Sequence, residues 1–387
     1  MKNALILSGG GARAAYQVGV LKALAEILPE TQNNPFPIIC GTSAGAINAL
    51  ALAAHTGTFR EAVHDLERIW ANLDLSHVYK HGWLDLGRGM GKMGMSLFNE
   101  GIGRDKPLSF LDNSPLRELL GQTIQFDNID QSIREGKLEA VCVTAMGYSS
   151  GESVSFFQGS PQLSDWRRYR RVGRSARLGV EHLLASSAIP TIFPTVKIGQ
   201  EYYGDGALRQ LAPISPALHL GADRVFVVGV SSNRNPLHWG KTRAAKHSPS
   251  IGQVIGHLLN SAFVDSLEGD IERLDRVNEL INLVPKDVLE ASGLPLRPVD
   301  SLVISPSRAL DKIAGRNIRY LPKSMRFFLR STGSTAHGGG ATAASYLLFA
   351  KPFCDELISL GYQDTMWEIE SIKTFFGASP AALAGAL

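Results

Sequence analysis

Apolar and polar positions along this chain alternate between two regimes. Short, nearly uninterrupted apolar runs occur at Ala4–Leu7 (ALIL), Phe36–Cys40 (FPIIC), Leu138–Thr144 (LEAVCVT) and Arg224–Val230 (RVFVVGV). Their length and β-branched content predict strands, the last being the strongest strand signal in the chain. Between the first runs the apolar residues recur at helical spacing. Val18, Leu21, Leu24, Ala25 and Leu28 predict a helix from about Ala14 to Leu28. Ala44–Ala54 is rich in Ala and Leu and stops near Gly57. Val63, Leu66, Ile69 and Trp70 mark one face of a helix from about Phe59 to Leu73. This βαβα order predicts a parallel sheet covered by helices.

Further along the signal thins. Ser153–Gln158 reads as a shorter strand, antiparallel and at an edge. Ser301–Ser305 reads as a late strand. Ser114 is placed to cap a helix with Pro115 at its first position and Leu116, Leu119 and Leu120 inside. His182–Ser187 predicts a short helix, with Pro190 and Pro194 enforcing an irregular turn after it. Residues 250–282 read as long amphipathic helices, 341–376 as a helical tail, and Lys241–Pro249 as a surface connector. Residues 76–106 combine glycines with apolar residues that look exposed, as in a mobile surface segment.

Composition narrows the class. With 387 residues and 44% hydrophobic content the chain can bury a large core, as one domain or one domain with an appendage. Thirty-nine basic and 36 acidic residues leave a net charge of +3, too balanced to argue for nucleic acid. The cysteines Cys40, Cys142 and Cys354 are three and widely spaced, which argues against a disulfide framework or a metal site. The N-terminal apolar run is too short for a signal peptide, and no stretch reaches transmembrane length. The expected location is the cytoplasm, with peripheral membrane contact open.

The chemistry concentrates in Gly41-Thr42-Ser43-Ala44-Gly45. This G-x-S-x-G pentapeptide lies between a strand and a helix, the context of a nucleophile elbow. A serine hydroxyl needs a base and a set of oxyanion donors. His219, His238, His247, His257 and His337 follow the serine, but none has a distinctive context. Asp205, set between Gly204 and Gly206, is the better base, although Asp-Gly is also common in hairpin turns. Gly9-Gly10-Gly11-Ala12-Arg13 lacks the spacing of a dinucleotide loop and the Lys-Ser/Thr of a phosphate loop. Its exposed amides, followed by a helix N-terminus, suit an oxyanion hole. Arg13 could steady that loop or neutralise an anionic substrate group.

Together with Ala185–Pro194, these blocks make the chain similar to the patatin-like phospholipases across about residues 1–230. The acid block Asp205-Gly206-Ala207 matches the family's Asp-Gly-Gly or Asp-Gly-Ala. The resemblance implies a three-layer α/β/α fold with a mainly parallel sheet. It also implies a Ser43–Asp205 dyad without histidine, an acyl-enzyme, and an oxyanion hole from Gly10 and Gly11 with Gly9 and Ala12 beside them. Arg13, Gly41, Gly45, Pro190 and Gly206 would support the site, and no metal or cofactor is required. The expected organisation is a catalytic domain over 1–310, with the motif-bearing core in 1–230, and a mostly helical extension over 311–387. Fatty-acyl ester hydrolysis in lipids is the leading activity. Carboxylesterase or acylglycerol lipase activity by the same dyad, and a non-catalytic lipid-binding role, are the alternatives.

Two further clues concern the substrate. Arg167, Arg168, Arg170, Arg171, Arg174 and Arg177, interleaved with Trp166 and Tyr169, could bind anionic headgroups or the membrane, or be a solvated helix face or a set of ion pairs. The stretch 76–106, with Trp83, Leu84, Met90, Met93, Met95, Leu97 and Phe98, could be a lid over an acyl pocket or a helical insertion with its own small core. Lys323–Arg330, where basic residues bracket Phe327 and Phe328, could be a second interfacial segment, or Phe327 and Phe328 could pack in the core. Oligomeric state is not legible.

Overall fold

A computed structural model describes residues 1–30, 33–98, 107, 109–231, 251–294, 296–331 and 340–377. The strands are β1 (Asn3–Leu7), β2 (Ile38–Thr42), β3 (Ala140–Gly147), β4 (Ser153–Gly159), β5 (Trp166–Arg168), β6 (Arg171–Ser175), β7 (Val196–Ile198), β8 (Glu201–Asp205), β9 (Arg224–Val228) and β10 (Asp300–Ile304). They form one sheet in the order β10-β9-β1-β2-β3-β4-β6-β5, with β8 paired to the end of β3 and β7 to β8. From β10 to β3 every pair is parallel. Beyond β3 the pairing turns partly antiparallel, through β4 and β8.

Strand side chains alternate between two buried clusters. Leu5, Leu7 and Ile39 join the larger one with the helices Ala15–Ile27, Ala44–Ala53, Phe59–Ala71 and Lys351–Trp367. Ala4, Ile6, Ile38 and Cys40 join the other, with the helices Ser215–His219 and Ser266–Leu283. Helices therefore cover both faces, giving the expected three-layer α/β/α arrangement. Burial on both faces is also why the parallel strands read as continuous apolar runs.

The helices after residue 310 reach into the larger cluster. Phe353 and Leu357 are fully buried there, each contributing roughly 2 kcal/mol by leaving water. The helix Lys351–Trp367 lies directly on Ala15–Ile27. A Cβ at Gly19 would strike the Ile358 carbonyl, and one at Gly361 the Tyr16 carbonyl. The Tyr16 hydroxyl donates to Asp364 Oδ2 across the same contact (3.0 Å).

Several local expectations need correction. β4 is not an edge strand, because β6 pairs with its free side and β5 forms the edge. Ser114 is the first helical residue rather than the cap: Asn113 occupies the cap, and Asp112 Oδ1 takes the Ser114 N–H (2.9 Å). The arginine run is not a helix face but the β5–β6 hairpin. Trp166 stacks on Phe157 (centroids 5.1 Å apart) and lies over Gly173, where a Cβ would collide with its ring. This period-two anchoring overrides any helical tendency of the arginines.

Candidate active site

β2 is buried along its whole length and delivers the chain to Ser43. Ser43 adopts φ 55° and ψ −128°, a conformation that costs an L-residue energy and persists only where its surroundings enforce it. Two glycines make the turn possible. A Cβ at Gly41 would come within 2.5 Å of Ala46 Cα, and one at Gly45 would strike the Leu7 carbonyl. The turn is also tied from the side. Ser186 Oγ accepts the Ser43 N–H (2.8 Å) and donates to the Thr144 carbonyl (2.6 Å).

Asp205 ends β8, which pairs with the last residues of β3 and so extends above β2. Ser43 Oγ donates to Asp205 Oδ2 at 2.7 Å, and Oδ1 accepts the Ala207 N–H at 3.0 Å. Asp205 has no exposed surface. Burial pushes its pKa up from 3.8 to about 7, against the lowering effect of the hydrogen bonds from Ser43 and Ala207. A carboxylate is ordinarily too weak a base for neutral pH, and this displacement brings it near the pKa a general base needs there.

The glycine loop runs alongside the serine. A Cβ at Gly9 would lie 3.2 Å from Ser43 Cβ and 2.7 Å from the Phe263 ring. Gly10 faces Val230, and Gly11, at φ 54°, lies against the Tyr346 carbonyl, where only a residue without a side chain fits. Ala12 is buried at the start of the following helical turn. Arg13 is 4% exposed. Its Nε donates to Ser345 Oγ (2.7 Å), and its guanidinium lies 4.1 Å from the centre of the Tyr346 ring. The arginine thus fastens the loop to a helix over 300 residues away in sequence. A second fastening is a chain of buried amides: Gln17 Nε2 donates to the Ser8 carbonyl, Asn48 Nδ2 to Gln17 Oε1, and Trp70 Nε1 to Asn48 Oδ1 (2.8–2.9 Å).

From Ser43 and Gly11 an apolar cavity of about 60 Å³ runs between helices, lined by Ile47, Leu66, Trp70, Leu116, Leu120 and Phe193 among others. Its walls are aliphatic and aromatic, so it suits an alkyl chain and offers little to a polar group.

Other singled-out residues lie elsewhere. Pro190 sits in the turn between the helix Val180–Ser186 and β7, next to Ile189, which lines the cavity. A Cβ at Gly206 would strike the Thr144 carbonyl. The arginines do not reach the dyad. Arg167 and Arg174 pair with Glu152 (3.3 and 3.7 Å), and Arg177 pairs with Asp127 (2.8 Å). Arg168, Arg170 and Arg171 lie at or beside the hairpin turn. His219 packs against Trp166 (5.0 Å), with its Nδ1 2.9 Å from the Ser215 carbonyl, and His257 is exposed on the helix Ile251–Asn260. His238, His247 and His337 lie outside the described residues, as do 99–106 of the glycine-methionine stretch. Trp83–Phe98 form one helix with Trp83, Leu84, Met90 and Met95 exposed. The Trp83 ring meets Phe327 (5.6 Å), so the candidate lid segment and the candidate interfacial segment adjoin.

Sequence reasoning missed four participants. Ser186 lay inside a recognised block without an assigned role. Asn48 sits at elbow-helix spacing that reads only as a helix interior. Gln210 accepts from Thr42 Oγ1 (2.6 Å), and Tyr346 packs on the glycine loop, neither with a local signal in the sequence.

The chain is similar to a cGAMP-activated phospholipase of Pseudomonas aeruginosa (strain BWHPSA011 / Pa011), 29% identical over 219 residues that cover 56% of this chain and 55% of the relative. It thus spans about half the length of the curated relative it matches. Among solved structures, VipD from Legionella pneumophila aligns over 96% of this chain and 67% of its own, at TM-score 0.33 and 12% identity. Human GIVD cytosolic phospholipase A2 aligns over 98% and 63%, at TM-score 0.37 and 11% identity. Among the described residues no helix is long and apolar enough to cross a membrane. The family model described as patatin-like phospholipase matches residues 5–218, the span that carries the glycine loop, the elbow and Asp205, and the chain belongs to the patatin-like phospholipase family.

Proposed function

We propose that the chain hydrolyses fatty-acyl ester bonds of lipids, with Ser43 as nucleophile and Asp205 as its base. The observation that carries this reading is the 2.7 Å contact from Ser43 Oγ to a fully buried carboxylate, at one end of an apolar cavity. Ser43 Oγ attacks the ester carbonyl carbon and passes its proton to Asp205. The negative charge that develops on the carbonyl oxygen is stabilised by the amides of Gly10 and Gly11. Collapse of that intermediate expels the alcohol, which takes the proton from Asp205 and leaves the acyl group on Ser43. Water then attacks the acyl-enzyme, with Asp205 again receiving the proton and returning it to Ser43. The alkyl chain occupies the cavity throughout.

The test is hydrolysis of a chain-length series of p-nitrophenyl esters beside phospholipid vesicles, for the wild type, Ser43→Ala and Asp205→Asn. Labelling by a fluorophosphonate probe is read in parallel. Loss of both activities in both variants, with labelling that requires Ser43, supports the reading. Turnover of short esters without release from vesicles makes the chain a carboxylesterase on neutral substrates. Full activity in Asp205→Asn overturns the dyad.

A further inference from the structure

The strand register gathers an unusual set of exposed side chains at the end of the sheet that holds the dyad. Asp205 pairs with Ala145, and Tyr203 with Gly147. The Tyr148 N–H donates to the Tyr202 carbonyl (3.0 Å), which puts both tyrosines at that end. Arg171 pairs with Ser153, which itself lies opposite Met146, and the Ser153 N–H donates to the Arg170 carbonyl (2.9 Å). The turn of the β5–β6 hairpin, Tyr169-Arg170, is therefore at the same end, two strands or about 10 Å across the sheet from β3. Leu208 and Leu211 follow three and six residues after Asp205, and Gln210 beside Leu211 bonds Thr42 (2.6 Å) and Thr144 (3.3 Å) at the ends of β2 and β3.

These residues are exposed although they are large and apolar. Tyr169 is 86% exposed, Leu211 70% and Tyr148 43%. They are interleaved with cations. Arg168, Arg170, Arg171, Lys197 and Arg209 form no ion pair among the described residues. The acids at this end are engaged: Glu152 with Arg167 and Arg174, and Glu201 with the Ser150 N–H (2.6 Å). Arg170 holds φ 54° at the turn, with its guanidinium 5.6 Å from the Tyr169 ring. What sets this end apart is that the exposed Tyr169 and Leu211 lie beside cations that form no ion pair among the described residues. An anionic bilayer answers both features, since its phosphates meet the cations and its headgroup boundary takes the tyrosines and leucines.

We infer that this end of the sheet, carried by Tyr169, Arg168, Arg170 and Leu211, is the surface that docks on an anionic lipid bilayer. It deepens the proposed function, because docking here turns the dyad toward the interface where lipid esters lie. Binding does not depend on catalysis, so it is measured in a Ser43→Ala background. Flotation with phosphatidylcholine vesicles containing phosphatidylserine is compared with flotation on phosphatidylcholine alone.

Arg168→Glu/Arg170→Glu lowers partitioning onto the anionic vesicles roughly tenfold or more, because each cation near such a surface contributes to binding. Tyr169→Ser/Leu211→Ser lowers it severalfold on the same vesicles. Arg276→Glu, on the helix Ser266–Leu283, leaves it unchanged. With Ser43 intact, all three variants keep wild-type rates on a soluble short ester, which shows that they fold. Unchanged partitioning in both hairpin-end variants overturns the inference, as does loss of partitioning only in Trp83→Ser/Phe327→Ser, which would move docking to the other aromatic patch. If soluble esters are not hydrolysed but the binding pattern holds, the docking surface stands and the hydrolase reading falls.

Discussion

Replacing Asp205 with asparagine removes a charge that the fold tolerates only at a cost, so the variant gains stability as it loses activity. The native carboxyl titrates near 7 and the unfolded one near 3.8. Between these values the native state holds a proton that the unfolded state has released. Wild-type stability therefore falls as pH rises through this window, and the full penalty applies above about 7. A displacement of about three pH units at 1.36 kcal/mol per unit puts that penalty on the order of 4 kcal/mol. The amide keeps the shape, accepts the Ala207 N–H and donates to Ser43 Oγ, while carrying no charge. Urea unfolding followed by tryptophan fluorescence measures the effect. The advantage of Asp205→Asn over wild type grows by about 2 kcal/mol between about pH 5.5 and about pH 8. Over the same series, hydrolysis of a soluble ester falls about 10²–10⁴-fold. A variant less stable than wild type at the higher pH, or an advantage that does not change with pH, refutes the reasoning that burial is what raises this carboxyl.

The remaining predictions follow from the same geometry. The wild-type kcat/KM for a soluble ester rises with pH and levels off above an inflection near 7, because the base must be ionised; a flat profile across this range counts against Asp205 as that base. Ser186→Ala strands the buried Ser43 N–H and Thr144 carbonyl, costing about 1–3 kcal/mol of stability. Because the loosened turn misplaces Ser43, kcat falls about tenfold or more while KM changes little, and an unchanged kcat with the same loss of stability would make the role structural only. Leu120→Trp fills part of the cavity beyond Ser43 and shifts preference in the p-nitrophenyl series toward shorter acyl chains, an effect read as the ratio of kcat/KM between long and short esters.

Much of this protein was decided locally and was therefore legible in its sequence. Strands buried on both faces must be apolar throughout, which is why β1, β2, β3 and β9 announced themselves. A turn in which two glycines avoid collision with Ala46 and Leu7 needs those glycines at fixed spacing from Ser43, so the elbow was visible as a motif. Read alone, Gly204-Asp205-Gly206 also fits an ordinary Asp-Gly turn, and only its match to the family's acid block singled out Asp205. Local signals also failed where a neighbour in space made the choice. The arginine run became a hairpin because Trp166 found Phe157 and Gly173, and β4 lost its edge because β6 came to lie beside it.

The tertiary structure alone decided the electrostatics and the fastening of the site. Nothing in Gly204-Asp205-Gly206 indicates complete burial, yet burial is what moves the carboxyl toward neutrality. Ser186, Gln210, Ser345 and Tyr346 reach the elbow and the glycine loop from segments up to some 330 residues away and leave no periodic trace. A sequence records spacing along the chain. Desolvation and long-range hydrogen bonds depend on which surfaces the folded chain brings together.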